Sequence, residues 1–156
     1  MAEGPYGLQL DFPRIAAFFR AAPLERRRAT ALALLTAAAE QSTERETALA
    51  AIEPLRSGTW KDEARAAELK LLAERFDTAW LGGFEGYLSL QDAPREVYDR
   101  GVPHYQAYLL FGGLAAAYSG SDRGLEESVV SAACALLLKK DREAVAREII
   151  RRVSTP

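Results

Sequence analysis

Three stretches of this chain carry no charged side chain: residues 29–39, 105–118 and 128–138. Each is long for a loop, and in a chain of this size most helices lie at the surface and show water a polar face. Leu occurs 21 times against 10 for Val and Ile together, and Ala is abundant, so the material favours helices over strands. The charge-free stretches are therefore predicted as helices that are covered on most sides. The fold class expected is all-α: a compact single-domain bundle of about six to eight helices, uncharged ones central and amphipathic ones wrapped around them. The domain is expected to span residues 1–156, with 1–10 a poorly ordered N-terminal segment. Either the three stretches form one central layer, or a second subunit covers part of them. A two-fold homodimer is the expectation drawn here.

No Asp, Glu, Lys or Arg occurs from Val102 to Ser121, which raises the question of a membrane span. Pro103, His104 and Gln106 at one end and Ser119, Gly120 and Ser121 at the other leave an apolar run of about 14 residues, where a bilayer needs about 20. A buried helix is the expectation. The single cysteine, Cys134, rules out an intramolecular disulfide framework and fits a reducing cytoplasm. The N-terminus has neither the basic region nor the apolar core of a signal peptide.

Helix boundaries follow from local chemistry. Asp11 and Pro13 open the first helix and Pro23 closes it, with Phe12, Ile15, Phe19 and Ala22 on one stripe and Phe18 beside it. Residues 24–41 form the second. Thr43 and Glu46 have capping-box spacing for a third, ended by Pro54 and the Ser57-Gly58 pair. The fourth, after Thr59, places Leu69, Leu72, Phe76 and Ala79 or Trp80 on one face and reaches Gly82 and Gly83. Residues 84–90 are expected to continue as a kinked or restarted helix. Asp92 and Gly101 bound a short one, and the last, capped by Asp141, turns Val145, Ile149 and Val153 inward.

Two glycine pairs interrupt this pattern, Gly82-Gly83 and Gly112-Gly113, in similar settings. Doubled glycine in a helix costs about 1 kcal/mol per residue against alanine. Close approach of a neighbouring helix is the expected compensation, more clearly at Gly112 and Gly113 than at Gly82 and Gly83, where a bend is expected.

No catalytic motif is present. The lone histidine, His104, has no companions at metal-ligand spacing, so neither a metal nor a cofactor is expected. Arg100 and His104 resemble the Arg-to-His pair of HEPN ribonucleases, but the gap of three residues is shorter than that family keeps, and Pro103 falls inside it. Trp80 and Tyr87 have the spacing of the aromatic pair in a tetratricopeptide repeat, yet Gly83-Phe84 stands where that repeat places Leu-Gly.

The uneven feature is aromatic. Nine of the fourteen rings (Phe76, Trp80, Phe84, Tyr87, Tyr98, Tyr105, Tyr108, Phe111, Tyr118) fall between residues 76 and 118. Residues 79–138 hold 7 acidic and 3 basic side chains. The candidate binding residues are Trp80, Phe84, Tyr87, Tyr98, His104, Tyr105 and Tyr108. The function expected is non-catalytic: a bacterial accessory, adaptor or immunity-type protein that binds another, basic protein through an aromatic and acidic face. One alternative is an enzyme or ligand-binding pocket around His104 and its tyrosines. Another is a subunit of a nucleic-acid complex using Arg26, Arg27, Arg28 and the basic C-terminal helix. Direct nucleic-acid binding is disfavoured by the net charge of −2 and by acids interspersed in the basic segments.

Overall fold

The computed structural model describes residues 13–137 and 142–154. Residues 1–10, Asp11, Phe12 and Asp141 lie outside them, as does the end of the third charge-free stretch. Among the described residues the chain forms seven α-helices and no strand. These are α1 (Pro13–Ala21), α2 (Leu24–Glu40), α3 (Arg45–Arg56), α4 (Glu63–Gly82), α5 (Arg95–Ala117), α6 (Asp122–Leu137) and α7 (Arg142–Ser154).

The three charge-free stretches pack on one another within the chain, through α2, α5 and α6. The remaining helices surround them. α3 lies against α2 and α5; α7 packs on α2 and α6, with α1 paired to it; and α4 packs chiefly on α5. Leu35, Ala38, Leu110, Phe111, Leu114, Val129, Val130, Ala132 and Ala133 are fully buried where the three central helices meet. Each large side chain buried there contributes about 1.5–3 kcal/mol of transfer free energy. The described residues of these stretches are buried or half-buried except Ala29, so the chain itself covers most of the surface that suggested a dimer.

Caps and pins hold this arrangement. Asp62 caps α4, its carboxylate accepting from the Arg65 amide at 3.0 Å. Ser121 caps α6, its hydroxyl accepting from the Gly124 amide at 2.9 Å. These contacts satisfy amides that a helix N-terminus leaves without partners. The Tyr118 ring is fully buried, its hydroxyl donates to the Ala51 carbonyl of α3, and the Arg65 guanidinium lies 5.5 Å from its centroid. One side chain thus ties α3, α4 and α5 together.

Several boundaries differ from expectation. α5 runs unbroken from Arg95 through Gly101 and Pro103 to Ala117, where a short helix and a separate long one were expected. Gly101 is a packing position: a Cβ there would lie 2.6 Å from Cε3 of Trp80. Pro54 likewise sits inside α3, which ends at Arg56. The capping box at Thr43 is absent. The α3 N-cap is Glu44, and the Ser42 hydroxyl accepts the Glu44 amide instead.

The glycine pairs also divide differently. At Gly113 a Cβ would meet Ser131 Cβ at 3.1 Å, the Ser128 carbonyl at 3.3 Å and Leu35 Cδ2 at 3.4 Å, so α5 approaches α6 and α2 closely there. At Gly112 and Gly82 a Cβ would meet nothing within 4 Å, and at Gly83 only the Trp80 carbonyl at 3.4 Å. Close packing therefore uses one member of the four. Gly112 is one residue, about 100°, around the helix from Gly113 and turns away from the crossing. Gly82 and Gly83 mark where α4 stops.

Candidate functional site at the α4–α5 arm

α4 and α5 form an antiparallel hairpin. Of residues 76–104 only Phe76 packs against the main core cluster, so this end of the hairpin, residues 76–101 with the facing turns of α5, is an arm apart from the central layer. Leu88 at its tip is fully exposed. The arm has a small interior of its own: Phe84 and Val97 are buried but lie outside the main core cluster.

Aromatic rings build that interior. Phe84 stands edge-on to Trp80 at 4.8 Å and to Tyr98 at 5.0 Å, and Trp80 meets Tyr98 at 6.1 Å. Trp80 then lies 5.0 Å from Tyr105, which is 6.1 Å from Tyr108. On the neighbouring strip Phe76 stacks with Phe111 at 5.6 Å and with His104 at 6.4 Å. These separations lie in the range where aromatic pairs attract beyond simple burial, by about 0.5–1.5 kcal/mol each. The spacing follows from helical period: 76 and 80 on α4, and 98, 101, 105 and 108 on α5, each fall on one face.

Six of the seven expected binding residues are thus brought together: Trp80, Phe84, Tyr98, His104, Tyr105 and Tyr108. Tyr87 is not. It projects from the tip, 40% exposed, without a ring contact to the others. Phe84 is buried and serves the arm's interior, while Trp80, Tyr98, Tyr105 and Tyr108 are half-buried and His104 is exposed. Residues 84–90 form turns, with Gly86 at φ +92° and a 3₁₀ turn at Leu90–Asp92, in place of the helix expected there. Three glycines in five residues make helix the costlier choice for this segment.

Sequence reasoning missed three contributors. Phe76 and Phe111 extend the cluster, and Gly101 gives Trp80 its seat. Their signal was available: Gly101 lies three residues from Tyr98 and four from Tyr105, inside the aromatic face. Exposed Leu81 and Leu88 were also missed, because a turn leaves no period from which to read burial.

The outside of the arm is acidic. Residues 76–101 carry five acidic side chains (Asp77, Glu85, Asp92, Glu96, Asp99) and two basic ones (Arg95, Arg100). Arg95 approaches Asp99 at 3.9 Å, and the Ser89 hydroxyl donates to Asp92 at 3.1 Å. The exposed Leu81, Tyr87 and Leu88 lie at this end of the hairpin, and Leu71 is exposed farther back on α4.

The other candidate surfaces are largely committed to internal contacts. Arg27 bonds the Ala22 carbonyl and Asp122, both at 3.1 Å, and Arg28 lies over Trp60. In α7, Glu148 takes Arg151 at 2.8 Å and Arg152 at 2.6 Å, while Arg147 faces Glu143 at 3.5 Å. Hydrogen bonds first from Arg151 and then from Arg152, against some desolvation, lower the Glu148 pKa to about 2. Among the described residues no group of His, Cys, Asp and Glu could hold a metal ion, and no helix is long and apolar enough to cross a membrane. No family model matches the chain, and neither a curated protein nor a solved structure matches it.

Proposed function

We propose that this chain is a non-catalytic protein-binding protein that engages a basic partner through the tip of the α4–α5 arm. The observation that carries the reading is the coincidence, at one end of the hairpin, of excess acid with Leu81, Tyr87 and Leu88 exposed beside a ring-packed interior. Exposed apolar side chains rimmed by charge mark interaction surfaces. Charge of one sign steers and selects a partner of the other. The aromatic interior supports the reading by fixing the tip's shape before contact, which lowers the ordering cost of binding.

The two alternatives draw less support. His104 stacks with Phe76, and among the described residues no group of acidic side chains gathers with it. The basic segments spend most of their described guanidinium groups on internal partners, which leaves few for phosphates. A homodimer is no longer needed to cover the central layer. Lone Cys134 suits a reducing compartment.

The test places a photo-crosslinking residue at Leu88 in the full chain in its own cells, with Thr59 as the control position. The reading expects one discrete product from position 88 that is absent from position 59. Glu85→Lys with Asp92→Lys should abolish it while leaving helicity unchanged. Equal labelling at both positions, or a product untouched by charge reversal, would overturn the proposal.

A further inference from the structure

A second feature lies at the opposite end of the hairpin from the arm and is independent of it. A cavity of about 80 Å³ is lined by Leu24 and Arg28 of α2, Trp60, Ala117 of α5, Gly120 and Ser121, and Asp122 and Leu125 of α6. Trp60, Ala117 and Leu125 are buried and give it apolar walls. Arg28 is half-buried, its guanidinium 5.3 Å from the Trp60 ring centroid. Among the described residues this guanidinium has no carboxylate or carbonyl partner and lies over the Trp60 ring. The other acid-base pair at the rim is closed, because Asp122 is taken by Arg27 at 3.1 Å.

We propose that this cavity binds a small monocarboxylate with a short apolar tail. A guanidinium lying over an indole, with its N–H donors uncommitted, can offer a carboxylate two parallel bonds. One uncommitted cation matches one negative charge, and Asp122 at the rim disfavours a dianion such as phosphate. The volume admits a few waters or a ligand of a few heavy atoms, and the apolar walls suit an alkyl tail over a bare ion.

The test is a titration of the full chain with sodium butyrate, sodium acetate and butyramide at matched ionic strength. It follows the backbone amide resonances of Gly120, Ser121 and Leu125. Butyrate should give saturable shifts confined to these residues, acetate weaker ones, and butyramide none. Arg28→Lys keeps the charge but loses the planar fork and should weaken butyrate about tenfold. Asp122→Asn, at an exposed position, should tighten it about two- to fivefold by removing a rim anion. Butyrate shifts that rise linearly without saturating, that butyramide reproduces, or that Asp122→Asn weakens would overturn the proposal.

Discussion

The body and the arm of this molecule share two helices and solve the packing problem in opposite ways. In the body, α5 meets α6 and α2 through Gly113, Ser128, Ser131 and alanines, so backbones come close and aliphatic side chains fill the remaining space. In the arm, the same α5 meets α4 through rings, with Gly101 as the single point where a backbone yields room to an indole. The body is enclosed by helices on several sides; the arm has one helix pair and its own few buried residues. A central layer can be stabilised by small residues because neighbours cover it from all sides. A two-helix projection must obtain its burial from large side chains on one seam. Its remaining surface then stays open to partners.

The comparison breaks or sharpens under substitution. The largest effect is expected for Leu110→Ala in the body, a loss of about 2–5 kcal/mol in global unfolding free energy by urea titration. Phe84→Ala should instead speed amide hydrogen exchange in residues 84–101 while leaving the slowest amides of α6 unchanged. If those α6 amides speed up by the same factor, arm and body are one cooperative unit and the distinction fails. Gly101→Ala should displace the Trp80 ring, costing about 1–3 kcal/mol, and should red-shift tryptophan emission. At the α5 glycine pair the two neighbours should diverge. Gly113→Val destabilises by overpacking, whereas Gly112→Ala stabilises by up to about 1 kcal/mol because its Cβ enters open space and helix propensity improves.

The smallest expected effect concerns pH. Glu148 titrates at about 2 when folded, below its ordinary 4.5. A depressed carboxylate contributes stability that is present above the unfolded value and is lost as pH falls from there through the folded one. The loss should therefore fall between about pH 5 and 2 and stay below about 1 kcal/mol, since these partners are solvent-exposed. Glu148→Gln should flatten that part of the acid limb of a stability–pH curve; an unchanged curve would remove the contribution.

Much of the body was legible in the sequence because burial there is a property of whole segments. A run without charge, set among good helix formers, has few alternatives to a central helix, and 29–39, 105–118 and 128–136 all took that place. Inward positions such as Ile15, Phe19, Ile149 and Val153 followed from period alone. The arm was less legible because its boundaries depend on tertiary contacts that local rules cannot see. Gly101 reads as a helix stop and Pro103 as a breaker. The helix passes through both because Trp80 fills the space above Gly101 and the flanking turns are held by rings. Doubled glycine misled for a related reason: one residue of offset turns a glycine from a crossing point toward open space. The aromatic cluster could be read as a group, but not which rings would be interior and which left at the surface.

Pro103 has a mechanical consequence for the molecule. With no amide hydrogen there, the Asp99 carbonyl lacks its i+4 helical donor, so α5 is missing one rung near the level where the arm departs. A helix missing a rung is more compliant in bending than its neighbours. A load applied at Leu88 is therefore absorbed near Pro103 before it reaches the central layer, and the tip can reorient by small angles against a docked surface while the remainder keeps its shape.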